Sequence, residues 1–83
     1  MTFEIIWSDI AIKQLNKLER PIANRIFEKV DELQENPYRY LIKIVGSDSF
    51  RLRIGDYRVI FDIEDKDIVI LRVGHRREIY KRL

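Results

Sequence analysis

Two arginine-rich segments carry the side chains of this chain that are best suited to chemistry: FRLRIGDYRVIF at residues 50–61 and GHRREIY at residues 74–80. Arg51 and Arg53 alternate with aliphatic residues, so a strand here would direct both guanidinium groups to one face of a sheet. Guanidinium groups bind phosphate oxygens through two parallel hydrogen bonds. The spacing therefore predicts a basic sheet face that binds an anion such as a phosphate.

A two-residue turn at Gly55 and Asp56 would pair this strand with the next one. The resulting register places Arg53 directly opposite Arg58. Like charges that face each other across a sheet are destabilising, so a sequence that places them there indicates a functional demand. A bound anion would compensate the repulsion.

The basic residues are concentrated in the second half of the chain. Residues 1–38 carry five basic and seven acidic groups, whereas residues 39–83 carry eleven basic and seven acidic groups, within a net charge of +2. Eight of the ten arginines belong to the second half. This asymmetry suits a polyanionic partner, but basic residues that merely solvate strand faces would produce a similar surplus.

Length and composition indicate one globular domain that spans residues 1–83. Cysteine is absent, which excludes disulfides, thiol nucleophiles and cysteine-bound zinc. The first residues lack the pattern of a secretion signal, and no apolar run approaches the roughly 20 residues that a membrane helix needs. We expect a soluble, cytoplasmic protein with no membrane partner.

The spacing of apolar residues changes from helical to alternating near the middle of the chain. It predicts an α+β fold, in which two helices pack on one face of an antiparallel three-strand meander. The first predicted elements are a strand at 2–7, a helix capped by Ser8, and a helix that begins at Pro21 and ends before Asn36. A linking segment at 38–49 follows, and then strands at 50–54, 57–64 and 67–74.

If both turns of the meander contain two residues, side-chain parity carries across all three strands. The core face would then hold Leu52, Ile54, Tyr57, Val59, Phe61, Ile63, Ile68 and Ile70. The opposite face would hold Arg51, Arg53, Arg58, Ile60, Asp62, Val69, Leu71, Val73 and His75. Its aliphatic strip, defined as Ile60, Val69, Leu71 and Val73, would lie under the C-terminal segment 79–83 or would bind another polypeptide.

The segments DYRVIF and GHRREIY, behind a strand and a helical hairpin, resemble the RelE/ParE superfamily of toxins from toxin–antitoxin pairs, and the RelE branch most closely. The resemblance implies a metal-independent and cofactor-free endoribonuclease that cleaves mRNA in the ribosomal A site and so inhibits translation. It also implies a cognate RelB-like antitoxin that blocks the toxin in a heteromeric complex. By the same resemblance, the catalytic positions fall on Arg51, Arg53, Arg58, Arg76 and Tyr80.

Cleavage of RNA without a metal uses the ribose 2′-hydroxyl as nucleophile and generates a highly charged phosphorane. We assign phosphate stabilisation to Arg58 and Arg76, and substrate positioning with charge stabilisation to Arg51 and Arg53. Tyr80 would stack on a base or accept the proton of the 2′-hydroxyl.

The identity of the general acid stays open. Several relatives carry lysine where this chain has Arg51 and Arg53, and a guanidinium is a poor proton donor. His75 is the only histidine and precedes Arg76, which makes it a secondary candidate for acid or base catalysis. The acidic residues around 62–67 lack the spacing of a calcium loop, so no metal site is predicted.

Two other functions are compatible with the resemblance. A ParE-like toxin would bind DNA gyrase and would have no RNA chemistry, and the arginine set together with Tyr80 favours the nuclease over it. The other alternative is an inactive chain that serves only as a regulatory partner of its antitoxin. For neutralisation, we expect the antitoxin to cover the aliphatic strip with an apolar helix face and to oppose the arginines with acidic groups.

Overall fold

The computed structural model describes residues 2–40 and 42–80 and confirms the predicted order of a strand, two helices and three antiparallel strands. It adds one short strand. The elements are β1 (Glu4–Trp7), α1 (Asp9–Asn16), α2 (Arg20–Asp31), two 3₁₀ turns (Glu32–Gln34 and Pro37–Tyr40), β2 (Ile42–Lys43), β3 (Phe50–Ile54), β4 (Tyr57–Glu64) and β5 (Asp67–His75).

The strands form one mixed sheet in the order β1-β5-β4-β3-β2. Strand β1 runs parallel to β5, and the other neighbours are antiparallel. Strand β2, formed by Ile42 and Lys43, lies inside the predicted linking segment, for which no strand was predicted. Two residues are too few to show the alternation from which a strand is read.

Local signals at the helix starts behave largely as predicted. The N–H of Ala11 donates to Ser8 Oγ at 3.1 Å, which is the expected cap of α1. Helix α2 begins at Arg20, one residue earlier than predicted, so Pro21 occupies its second position. Proline is tolerated there because the first N–H groups of a helix have no intrahelical partner.

The core lies between the helices and one face of the sheet. The helical positions Ala11, Ile26, Val30 and Leu33 are buried against it, as their spacing predicts. The sheet contributes Leu52, Ile54, Val59, Phe61, Ile68, Ile70 and Val73. None of the helices in the described residues is long and apolar enough to cross a membrane.

A β-bulge interrupts the pairing of β4 with β5. Ile60 pairs with Arg72 and Phe61 pairs with Ile70, so Leu71 has no partner on β4. One extra residue on one strand reverses the side-chain parity beyond it. Arg72 therefore shares a face with Ile60, away from the helices.

The bulge corrects one member of the predicted aliphatic strip. Val73 pairs with Val59, is only 2% exposed and belongs to the core cluster. Its predicted place on the face opposite the helices is wrong. The turn between β4 and β5 has two residues as predicted, but the bulge adds one unpaired residue to β5 and reverses the alternation beyond it. Leu71 and Val69 keep partial exposure.

Beyond the end of β1, side chains at helix α1 form the hydrogen bonds that the edge of β5 lacks. Strand β1 stops opposite Ile70, so the next polar groups on that edge of β5 have no strand partner. Ser8 Oγ donates to the carbonyl oxygen of Leu71 at 3.1 Å, and the N–H of Val73 donates to Gln14 Oε1 at 2.7 Å. These bonds fix the bulge because unpaired buried backbone groups are costly.

The residues after β5 fold back onto the sheet in a tight turn. The N–H groups of Glu78 and Ile79 both donate to the carbonyl oxygen of His75, at 2.9 and 3.0 Å. A Cβ atom placed on Gly74 would lie 3.2 Å from Ile79 Cδ1, so Ile79 covers this glycine. Ile60 and Ile79 are 1% and 5% exposed, although neither belongs to the helix-side core.

The chain therefore covers part of the predicted strip with its own residues. Ile60 is buried in the single chain, so its side chain is not part of an open apolar surface. Of the segment 79–83 predicted to cover it, residues 81–83 lie outside the described residues.

The same substitution, valine to serine, at two positions of β5 tests whether the bulge reverses the side-chain alternation. We expect Val73→Ser to lower the free energy of unfolding by about 2 kcal/mol or more, because it removes core packing and buries a hydroxyl. Val69→Ser, on the opposite face, should cost less than about 1 kcal/mol. Urea denaturation of the purified chain measures both. Equal losses for the two variants would contradict the reversed parity.

Candidate functional site

Four arginines share the sheet face opposite the helices, which we call the arginine face: Arg51, Arg53, Arg58 and Arg72. They form two rows across the strands. One row is Arg53, Arg58 and Gly74, and the other is Arg51, Ile60 and Arg72. The cations thus come from three neighbouring strands, whose hydrogen bonds hold their relative positions.

The opposition of Arg53 and Arg58 is confirmed by the register of β3 and β4. The predicted two-residue turn between them is also confirmed, with Gly55 at φ 58° as the first turn residue. Glycine adopts this conformation without steric cost, and a positive φ at the first position is the type II′ pattern of hairpins.

Backbone carbonyls hold the Arg58 side chain at the turn. Its Nη1 donates to the carbonyl oxygens of Gly55 and Tyr57, at 2.8 Å in each case. These dipoles offset part of the repulsion from Arg53, which the sequence alone does not show. Carbonyls carry no net charge, however, so the row retains two positive charges and still suits an anion.

Arg76 lies beside the same turn. Its N–H donates to the carbonyl oxygen of Asp56 at 2.8 Å, which extends the pairing beyond β5. Arg76 Nε lies 4.0 Å from Asp56 Oδ1, and both side chains are exposed. Exposed pairs at such distances contribute little stability, so a phosphate would compete easily with Asp56 for this guanidinium.

Tyr80 follows the turn that docks on the arginine face. Its neighbour Ile79 covers Gly74, which is paired with Arg58. The Tyr80 hydroxyl is buried and has no hydrogen-bond partner among residues 2–40 and 42–80. An enclosed hydroxyl without a partner is costly, by about 1–3 kcal/mol, so this oxygen gains from any ligand that reaches it.

His75 lies on the other side of the sheet from the arginine face. Its ring packs edge-on against Tyr57, with centroids 5.4 Å apart, and its Nδ1 accepts from the N–H of Arg77 at 3.2 Å. The predicted placement of His75 with the arginines is wrong, for the same reason as the placement of Val73. The bulge reverses the parity of both residues.

Acidic side chains share the sheet face of the arginines but lie towards its other end, where Asp62 pairs with Val69 and Glu64 pairs with Asp67. Asp62 accepts a hydrogen bond of 2.7 Å from the hydroxyl of Ser49. Within the described ranges, no three side chains of His, Asp or Glu converge in a way that would hold a metal ion. Positive charge at this site comes from guanidinium groups.

The sequence pattern does not point to Arg72 as a site residue. A signal was nevertheless present, because uninterrupted parity from Ile68 and Ile70 would have placed Arg72 in the core. Charged side chains are almost never fully buried without a partner. A bulge before residue 72 is the simplest way to avoid that burial.

Exposed apolar side chains of this sheet face lie at both edges of the sheet. Ile42 on β2 pairs with Arg51 and is 48% exposed, and a larger group lies at the β1 edge. Ile6 is 42% exposed and pairs with Val69 in the parallel register of β1 with β5. Together with Leu71 they define what we call the edge strip: Ile6, Val69 and Leu71. It replaces the predicted aliphatic strip, from which the structure removes Ile60 and Val73 as exposed residues.

Comparisons with known proteins match this chain to toxins of toxin–antitoxin systems. Residues 5–80 match the family model described as the ParE toxin of the type II toxin–antitoxin system parDE. Toxin RelG of Mycobacterium tuberculosis is 31% identical over 87 residues, which cover 99% of this chain and 100% of RelG.

Two solved structures are similar in both sequence and fold. The toxin–antitoxin complex RelBE2 of Mycobacterium tuberculosis contains a chain that is 28% identical with a TM-score of 0.80, covering 92% of this chain and 100% of that one. In the archaeal RelE–RelB complex of Pyrococcus horikoshii OT3, the matching chain is 32% identical with a TM-score of 0.77, covering 94% and 99%.

Proposed function

Since this chain belongs to the RelE/ParE superfamily of toxins from type II toxin–antitoxin systems, we propose that it is a metal-independent endoribonuclease. It would cleave mRNA in the ribosomal A site and inhibit translation in the cytoplasm. The observation that supports this most is the direct opposition of Arg53 and Arg58 across two strands, with Arg76 beside their turn. That arrangement suits a reacting phosphate.

The proposed reaction is an internal transesterification. The 2′-hydroxyl oxygen bonds to the adjacent phosphorus, the bond from phosphorus to the 5′ oxygen breaks, and a 2′,3′-cyclic phosphate and a 5′-hydroxyl result. One proton leaves the 2′-hydroxyl and one reaches the departing 5′ oxygen. Arg58 and Arg76 stabilise the negative charge of the phosphorane, while Arg51 and Arg53 orient the mRNA.

Proton transfer falls to few of the predicted site residues. A guanidinium is a poor proton donor, so the arginines act through charge and hydrogen bonds. His75 faces Tyr57 on the helix side of the sheet. Of the predicted site residues, Tyr80 then remains as the one that could donate or accept a proton. Its enclosed hydroxyl would have to contact the substrate when the mRNA binds.

The ParE-like alternative keeps one specific observation in its favour, since the matching family model is that of a ParE toxin. Such a toxin would bind DNA gyrase without cleaving RNA. Primer extension on translated mRNA, in parallel with a gyrase supercoiling assay, separates the two functions. We expect cleavage stops in the mRNA and unchanged supercoiling.

We also propose a RelB-like antitoxin as the partner that blocks the toxin. The two solved structures described above are the toxin–antitoxin complex RelBE2 and an archaeal RelE–RelB complex. An antitoxin with an apolar helix face would bury the edge strip, and its acidic side chains would occupy the arginine face. Charge attraction would speed the encounter, and the apolar contact would hold the complex.

Removal of the phosphate-binding cations should abolish most cleavage. Arg58→Ala and Arg76→Ala should each slow mRNA cleavage by about 100-fold or more, the usual effect of losing a group that stabilises transition-state charge. Arg20→Ala, on α2 behind the sheet, makes the same charge change and should cleave at the wild-type rate. Single-turnover cleavage on programmed ribosomes measures all three. Wild-type rates in folded Arg58→Ala and Arg76→Ala would refute the assignment.

Two substitutions at Tyr80 separate its possible roles. Tyr80→Phe keeps the ring and removes the hydroxyl, whereas Tyr80→Ala removes both. A loss of cleavage in both variants indicates proton transfer, and a loss in Tyr80→Ala alone indicates base stacking. The same ribosome assay decides between these outcomes. Full activity in both would exclude Tyr80 from the site.

The edge strip predicts where the antitoxin binds. Ile6→Ser and Val69→Ser should each weaken the complex about tenfold or more, because each removes apolar area buried on binding. Ile12→Ser is the matched control, since Ile12 on α1 has the same 42% exposure as Ile6. Calorimetric titration with the cognate antitoxin gives the dissociation constants. An unchanged affinity for Ile6→Ser and Val69→Ser would place the antitoxin elsewhere.

A further inference from the structure

We infer that Arg72 is a further RNA-binding residue, which holds the phosphate next to the scissile one together with Arg51. This role presupposes the proposed ribonuclease function and extends it from the reacting phosphate to its neighbour.

Arg51 and Arg72 flank one buried residue in a row across three strands. Ile60 pairs with Arg51 on one side and with Arg72 on the other. Neighbouring strands lie about 4.8 Å apart, so the two arginine Cα atoms are separated by about 10 Å. Guanidinium groups on long side chains can approach one anion from both sides across that distance. Ile60 itself is apolar and buried, so it offers the anion no competing group.

The second row runs alongside the row of Arg53 and Arg58. Two residues along a strand separate the rows, which corresponds to about 7 Å. This spacing is comparable with the step between consecutive phosphates of a single RNA strand. A strand of RNA that follows β3 would therefore present the scissile phosphate to one row and its neighbour to the other.

The backbone on both sides of Arg72 is held by α1. Ser8 Oγ donates to the carbonyl oxygen of Leu71, and Gln14 Oε1 accepts from the N–H of Val73. The pairing with Ile60 fixes the other edge of the strand. Such anchoring reduces the ordering that binding would otherwise require. Ser8 and Gln14 thus hold the backbone from which the Arg72 side chain extends.

Within the described residues, the Arg72 guanidinium lacks a side-chain partner that would offset its charge. No ion pair or hydrogen bond joins the Arg72 guanidinium to another side chain in residues 2–40 and 42–80. Asp62, on the same sheet face, is bonded to the hydroxyl of Ser49. Partial burial of an unpaired charge is unfavourable, and a bound phosphate would compensate it.

The test measures single-turnover cleavage of mRNA on programmed ribosomes at increasing toxin concentration. Arg72→Gln should raise the half-saturating concentration about tenfold and leave the maximal rate within about twofold, whereas Arg58→Ala lowers the maximal rate. Arg72→Lys should recover part of the affinity, because it restores the charge without the planar fork. Arg20→Gln is the control for the loss of one positive charge.

A second arm assigns the contact to one phosphate. An mRNA with an uncharged methylphosphonate at the phosphate next to the scissile one should bind the wild-type toxin about tenfold more weakly. In Arg72→Gln the same replacement should have a smaller further effect, because only the contact with Arg51 remains to be lost. An equal effect in both chains would contradict a contact between Arg72 and this phosphate. This arm uses the wild-type chain first, so it stays decisive if Arg72→Gln does not fold.

The outcomes separate the two proposals. If the wild-type chain does not cleave translated mRNA, the proposed function fails and the role of Arg72 falls with it. If the wild-type chain cleaves but neither Arg72→Gln nor the methylphosphonate raises the half-saturating concentration, only the role of Arg72 is overturned.

Discussion

The charge of Arg72 is the constraint on which the register of the sheet depends. Uninterrupted alternation from Ile70 would carry this guanidinium into the core between sheet and helices, where an unpaired charge costs several kcal/mol. Leu71, inserted as the unpaired residue of a bulge, moves Arg72 to the opposite face and brings Val73 into the core. Strand β1 ends opposite Ile70 and so leaves the next part of the β5 edge without a strand partner, where Ser8, the cap of α1, and Gln14 supply the missing hydrogen bonds.

The same shift builds the other side of the candidate site. It places Gly74 on the arginine face, opposite Arg58, where a residue without a Cβ leaves room for Ile79. The C-terminal turn docks at that point and carries Tyr80 with it. One inserted residue thus keeps a charge out of the core, adds an arginine to the basic face and provides the docking position of the C-terminal turn.

Much of this arrangement could be predicted because its signals are local. The turn at Gly55 fixes the pairing of Arg53 with Arg58, and helical spacing identifies the core positions of both helices. The bulge could not be found in the same way, since both Ile70 and Leu71 suit a strand on either face and a period of two gives no warning of an extra residue. The errors at Val73 and His75 follow from that one omission. Only the free-energy cost of burying Arg72 indicated a bulge, and that cost depends on tertiary packing rather than on local sequence.

The opposed arginines suit a reacting phosphate better than a static anion. A carboxylate is planar and carries a single charge, so it offsets the repulsion between two facing guanidinium groups less than a phosphorane does. A phosphorane carries more charge than the phosphodiester from which it forms, and its oxygens point in several directions. Arg53 and Arg58 approach from adjacent strands, and the carbonyls that hold Arg58 at the turn limit how far its guanidinium can move away. In the proposed reaction, the repulsion that persists in the free protein is therefore relieved most fully when the negative charge on the phosphorane oxygens is greatest, which is the condition for binding the transition state more tightly than the substrate.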